Sequence, residues 1–357
     1  RCAHFVGIEE KNGPVNALAI SPVLNVKPGA EYVFSFWYRS RGRVATASIF
    51  TFTKPFTDWK TPKAQYLTRS FPASENWRPA VWRFKAADNA VQMRVAVRIA
   101  GIGEVWYDDA ALVPAPDWQI SDVLCVWSRP YQAVNVSAKA KGTGRCDLVI
   151  MLDTTGSGRW REVAKSLGAG GTIRIANAQA RQGQQFLLTI LSGSVPVAQE
   201  TVRVPPVFEA ELVNCRYRNA IYSSHKLEEI RATLKVNTTA EAARGLRYGV
   251  RIAPAGKAMP VLANTPVKPG NNSITVPTRN LRPGKWQLVI TVAGLRQPKT
   301  LTVPLTVYPP APVHEVIIDE YNRLLIDGKP VFPRGFYGAP QQVELLRPIA
   351  KAGYNAV

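Results

Sequence analysis

The residues in this chain best able to recognise another molecule are aromatic rings interleaved with arginines. Trp37 and Arg39 are two apart, Trp59 and Tyr66 fall in the long stretch from Lys54 to Asn76, and Arg94 and Arg98 are four apart. A ring face stacks on a flat apolar surface such as one side of a pyranose, and a guanidinium supplies donors for hydroxyls or carboxylates. Each residue also has a plainer use. Trp37, Trp59 and Tyr66 can equally fill a core, and Arg39, Arg94 and Arg98 can equally form a solvated charged face. Trp77, Trp82 and Trp106 read as core.

Other chemistry is thinly supplied. The four cysteines, Cys2, Cys125, Cys146 and Cys215, include no CxxC pair, and three histidines are too few to favour a zinc site. Cys125 and Cys146 fall in one expected domain, as a disulfide or as buried free thiols. Asp153-Thr-Thr-Gly-Ser157 has the D-x-T-x-S spacing of a metal-ion adhesion site. That fold needs helices alternating with parallel strands, whereas residues 168–206 are Gly-rich and strand-like, so a hairpin turn is the better reading. Sequons at Asn135, Asn237 and Asn271 decide nothing.

The elements that must position the rings are strands. In Glu31–Arg39, Tyr32, Phe34 and Phe36 alternate with Val33, Ser35, Trp37 and Arg39. Residues 45–53 and 77–85 alternate similarly, and Val91, Met93, Val95, Val97 and Ile99 alternate with Gln92, Arg94 and Arg98. Many half-buried strands separated by turn signals predict an antiparallel sandwich over residues 1–116. Pro114-Ala-Pro116 reads as a linker. Short strands return over 117–206 and, after Pro205-Pro206, over 207–309, each block with the rhythm of an immunoglobulin-like sandwich. Tyr308-Pro-Pro-Ala-Pro312 reads as a stiff hinge. Beyond it, Val316–Ile318 and Leu324–Ile326 are short apolar runs followed by Asp327-Gly328, a tight-turn pair. A helical pattern through Val343, Leu346, Ile349 and Ala350 and the start of another strand at Asn355 complete a strand–helix–strand unit over 310–357.

Composition sets outer limits. The 46% apolar share over 357 residues predicts folded domains, and no stretch has the roughly 20 apolar residues of a membrane helix. The formal charge of +20 suggests nucleic acid, an anionic membrane or an acidic polysaccharide as partner, or else a general surface bias, since Lys and Arg are scattered. No basic tail, recognition helix, zinc finger or RNA-reading aromatic strand motif is present, which argues against nucleic acid. There is no initiating Met or signal peptide, and Arg1-Cys2 reads as the interior of a longer chain.

The order VKPGAEYVFSFWYR, ENWRPAVWRF and VQMRVAVRIAGIGEVWYDDAALVP resembles the CenC-type carbohydrate-binding module, a β-jelly roll. The resemblance implies carbohydrate binding, with Trp37, Arg39, Trp59, Tyr66, Arg94 and Arg98 as its candidates. It also makes Asp109, in the Tyr107-Asp-Asp109 run, the candidate ligand of a structural calcium; no other cofactor is implied. The run CRYRNAIYSSHKLEEIRATLKV is similar to the linking β-sandwich before the barrel in multidomain glycosidases. The run LLIDGKPVFPRGFY with LLRPIAKAGYNAV resembles the entry to the (β/α)8 barrel of retaining β-glycosidases. The glutamates of such barrels lie on strands four and seven, so no catalytic residue is carried over to this chain.

The expectation is therefore an all-β chain, a jelly roll followed by two immunoglobulin-like domains, with a short α/β piece of an incomplete barrel. Its implied role is that of the carbohydrate-binding and spacer region of a glycoside hydrolase that is secreted or on the cell surface and acts on neutral or acidic polysaccharide. The alternative is a structural or adhesive surface protein of stacked β-sandwiches.

Overall fold

A computed structural model describes residues 2–7, 9–10, 13–14, 16–155, 158–215, 217–224, 227–254, 259–279, 281–311, 313–319, 321–332, 346–348 and 351. The chain is all-β and divides into two compact units, residues 1–206 and 207–357.

The first unit opens with Ala3–Gly7 (β1), Glu9–Glu10 (β2), Gly13–Pro14 (β3), Asn16–Ile20 (β4), Leu24–Asn25 (β5), Glu31–Arg41 (β6), Ala45–Phe52 (β7), Lys63–Phe71 (β8), Arg78–Lys85 (β9), Gln92–Ala100 (β10) and Gly103–Pro114 (β11). One sheet runs β1-β11-β6-β9; the other runs β4-β10-β7-β8, with β5 beside β10. Period-two alternation turns one face of each sheet inward. Tyr32, Phe34, Phe36 and Tyr38 of β6 and Trp82 and Phe84 of β9 meet Ala45, Ala47 and Ile49 of β7 and Met93, Val95, Val97 and Ile99 of β10. Burying side chains of this size contributes about 1.5–3 kcal/mol each. The Tyr107 phenol ties the sheets together, accepting from the Thr46 amide at 2.9 Å and donating to the Arg98 carbonyl at 2.7 Å. Burial pushes its pKa above the usual phenol range.

The second face of β6 is also buried: Val33 and Ser35 are as closed to water as Phe34 and Phe36. What covers it belongs to the following block, Gln119–Arg129 (β12), Ala133–Asp153 (β13), Trp160–Gln179 (β14), Gln185–Ser192 (β15) and Val195–Arg203 (β16), because β16 lies against β6 and β9. The sequence pattern of 117–206 predicts short strands, among them 134–138, 147–152 and 172–175. Instead β13 and β14 are continuous strands of 21 and 20 residues. They pair along their length, but β13 changes its other neighbour, meeting β12 over its first half and β15 over its second. The register shifts between Ala140 and Arg145, and Gly144, inside that interval, sits at φ +90°. Gly142 lies against Trp118 so closely that a Cβ there would come 2.4 Å from the indole. A local signal that reads as a chain reversal is thus a bend within one strand. Asp153 ends β13, and its carboxylate accepts from the Thr155 and Gly158 amides, the hairpin-turn role expected of it. Gly156 and Ser157 lie outside the described residues. Cys125, Cys146 and Cys215 are buried free thiols, so the disulfide alternative for Cys125 and Cys146 does not hold.

The second unit contains Phe208–Leu212 (β17), Ala220–Tyr222 (β18), Glu229–Val236 (β19), Arg247–Pro254 (β20), Met259–Pro266 (β21), Gly270–Pro277 (β22), Gly284–Ala293 (β23) and Lys299–Tyr308 (β24). They form sheets β17-β19-β22 and β18-β24-β23-β20-β21, with β18 parallel to β24. Val316–Ile318 (β25), Leu324–Ile326 (β26) and Lys329–Val331 (β27) make a small meander. Its last turn is Asp327-Gly328, with φ +50° and +77°, the doubly left-handed geometry that selects this pair. Leu346–Pro348 is helical; the expected first barrel strand and the turn at 352–355 lie almost wholly outside the described residues.

Candidate functional site

The outward face of the β4-β10-β7-β8 sheet gathers four of the six expected recognition residues. The register sets Arg94 opposite Phe50 and Phe50 opposite Tyr66, in one row across β10, β7 and β8. Arg98 is four residues along β10, on the same face as Arg94. Tyr66 stacks on Phe50 at 4.9 Å with an 18° interplanar angle. The connection after β7 folds back over the face, bringing Trp59 edge-on to Phe50 at 5.1 Å and to Phe56 at 5.3 Å. Phe52 lies below, 4.8 Å from Phe56. The loop is pinned by the Phe56 amide donating to Gln92 Oε1 at 2.7 Å and by Thr61, whose hydroxyl accepts from the Thr57 and Asp58 amides.

The result is a ring array that stays open to water. Trp59 is 43% and Tyr66 52% exposed, although both rings have aromatic partners. The Arg94 guanidinium lies 5.0 Å from the Phe56 centroid and 5.2 Å from that of Trp59, and its Nε donates to the Ser21 carbonyl at 3.0 Å. Arg98 Nη1 reaches the Tyr66 hydroxyl at 3.5 Å. Neither arginine has a carboxylate partner among the described residues. Between them the floor is polar, with Ser48 and Thr68 hydroxyls 3.2 Å apart. The Thr68 hydroxyl, helped by Ser48 and Arg98 against the opposing effect of burial, draws the Tyr66 phenol below its usual range. Stacking surface, cationic donors and hydroxyls on one accessible face can hold a polar ligand that has a flat apolar side.

Trp37 and Arg39 are elsewhere. Both project from the other sheet, and Trp37 packs against Val149, Met151, Trp160, Leu187 and Leu191 of the following block. Its ring is part of a junction, which corrects the expectation that it presents a stacking platform. Arg39 is clasped by two indoles, 4.4 Å from the Trp106 centroid and 5.6 Å from that of Trp77, and its Nε is buried without a hydrogen-bond partner. His4 stacks on the Trp106 indole at 4.5 Å. Trp106 and Trp77 therefore serve this half-buried stack, whereas Trp82 does sit in the core. The alternation of β6 put Trp37 and Arg39 on one face correctly; what covers that face is decided about 110 to 160 residues later in the chain, by β13 to β16.

Asp109 occupies the bulge of β11, at φ +47° and exposed, where the register shifts between Asp108 and Ala111. Its amide donates to Asp108 Oδ1 at 3.0 Å. No group of three or more His, Cys, Asp or Glu side chains able to hold a metal occurs among the described residues. Phe50, Phe56, Ser48 and Gln92 were missed in the sequence. Arg94–Phe50–Tyr66 is a cross-strand row, so only pairing register could have found Phe50.

No family model matches the chain, and no curated protein does. Among solved structures, one described as "CBM4 structure and function" is 13% identical, covering 32% of this chain and 70% of its own, with a TM-score of 0.23. A β-glucuronidase from Ruminococcus gnavus in complex with D-glucuronic acid is 12% identical, covering 55% of this chain, with a TM-score of 0.22. This chain spans 37% of that enzyme's length.

Proposed function

We propose that the outward face of the β4-β10-β7-β8 sheet binds a glycan, and that the chain is a non-catalytic carbohydrate-binding and spacer region of a secreted or cell-surface glycoside hydrolase acting on polysaccharide. The observation carrying the binding reading is that the exposed Trp59 and Tyr66 rings flank Phe50 beside two arginines without carboxylate partners among the described residues. Pyranose rings stack on Trp59 and Tyr66, Arg94 and Arg98 donate to hydroxyls or a uronate carboxylate, and Ser48 and Thr68 line the floor. Tethering a hydrolase to its polymer raises the effective substrate concentration, which is what such a module contributes.

The test is affinity electrophoresis of the full chain in gels containing neutral β-glucan, xylan or polygalacturonate. Retardation by at least one polymer, lost in Trp59→Ala/Tyr66→Ala while the chain remains folded at the assay temperature, is the expected result. Stacked aromatic contacts of this kind are worth about 0.5–1.5 kcal/mol each beyond the area they bury, so the double change weakens binding at least about tenfold. Retardation that survives both substitutions, or none in any gel, overturns the assignment.

A further inference from the structure

We infer that the β12–β16 block carries a second, separate site, for a sugar unit bearing an oxyanion, in a cup formed by Arg129, Arg161 and Arg181. The cup is about 620 Å³, within the roughly 300–1,000 Å³ range of small-ligand sites. It lies where the β12–β13 turn, the start of β14 and the β14–β15 turn converge. Its floor is apolar and closed, made by Ala133, Leu152 and Ala180, while the three arginines stand exposed above it.

Electrostatics selects the ligand's charge. No carboxylate lines the cup, and none of the three guanidinium groups makes an ion pair or side-chain hydrogen bond among the described residues. Three like charges around one concavity repel each other, and an anion between them relieves that repulsion while gaining charge-assisted hydrogen bonds. The remaining lining selects a sugar over a bare ion. Tyr131 is 44% exposed at the cup, and Gln132 and Gln179 supply amide donors and acceptors for hydroxyls. The Asn177 carboxamide, whose Oδ1 accepts from the Ser128 hydroxyl at 2.8 Å, adds donors, while Gln184 braces the rim by accepting from the Arg181 amide and donating to the Thr154 carbonyl.

The backbone gives an independent sign. Tyr131 at φ +62° and Asn177 at φ +54° both line the cup. Asparagine tolerates the left-handed region, and here the Asn135 carboxamide fixes it by accepting from the Asn177 amide at 3.0 Å. A bulky tyrosine there is costly, and strain of that kind is kept where it holds a side chain in a useful place. Carboxylate and sulfate share the required chemistry. The site depends on none of the residues of the β4-β10-β7-β8 face, so the two assignments stand or fall separately.

The experiment is calorimetric titration of the full chain, at fixed ionic strength, with galacturonate oligomers, a sulfated galactan oligosaccharide, neutral xylo-oligosaccharides and a single-stranded oligonucleotide. Three proteins are compared: the unaltered chain, Arg129→Gln/Arg161→Gln/Arg181→Gln, and a charge-matched control, Lys141→Gln/Arg145→Gln/Arg174→Gln, which changes exposed residues of the same block outside the cup. The expected result is saturable binding of a carboxylated or sulfated oligosaccharide, about tenfold or more weaker in the cup variant and unchanged in the control. The stronger of the two acidic arms identifies the oxyanion. Equal losses in both triple variants, equal binding of the oligonucleotide, or no acidic saccharide bound would overturn the inference.

Discussion

Replacing Trp37 by alanine separates a binding residue from a junction residue. On β6 its neighbours in register are Asp108 and Pro79, and its ring rests on Val149, Met151, Trp160, Leu187 and Leu191. An indole side chain carries about 200 Å² of surface, and most of that of the partly buried Trp37 is covered here. At about 25 cal/mol per Å², discounted for burial already present in the unfolded chain, the loss is about 2–3 kcal/mol. For a unit of 206 residues that lowers the unfolding midpoint by about 4–12 °C. Scanning calorimetry reads the shift, and gel retardation on the same sample reads glycan retention, which should not change because Trp59 and Tyr66 lie on the other sheet. Leu187→Ala touches the same contact, so the double variant should lose less than the sum of the singles. A midpoint within about 1 °C of the unaltered chain together with weakened retention would refute the reasoning and return Trp37 to the binding face.

Three further outcomes follow from local geometry. Burial pushes the Cys125 and Cys215 thiols up to about 12 and raises that of Cys146, so an aromatic disulfide reagent at pH 8 should titrate only Cys2 in the folded chain and all four cysteines in denaturant. Gly142→Ala drives a methyl into the Trp118 indole and should destabilise the first unit by about 1–3 kcal/mol in urea. Burial raises the Tyr38 phenol to about 12 in the folded chain against about 10 unfolded, so its contribution is intact below pH 10 and lost as pH rises towards 12. Urea midpoints measured across that window should fall less steeply in Tyr38→Phe, which also lacks the 2.7 Å bond to the Pro72 carbonyl.

Much of the architecture is legible in period-two patterns because side-chain alternation is a local property of an extended backbone. Phe34 and Phe36 against Ser35 and Trp37, Met93 and Val95 against Gln92 and Arg94, and the Asp327-Gly328 turn are all visible in the sequence and present in the structure. Four of the six recognition candidates share a face because β7, β8 and β10 are neighbours, and Phe50 joins them only through register. The boundaries of β13 failed for a different reason. Gly142 and Gly144 permit a reversal, but here the paired β14 bends with β13 and the ladder continues beyond the shift.

Taken alone, the sequence determined which residues lie on the same side of each strand, that the chain is built from sheets, and where its tightest turns fall. Tertiary structure decided which of those sides meets water. Trp37 and Trp59 are equally plausible platforms when read along the chain, yet β16 and its block close over the sheet face that carries Trp37, while the β7–β8 connection leaves Trp59 half open. Alternation specifies a face, but only packing between segments distant in sequence specifies what covers it, and that cover separates a core ring from a binding ring.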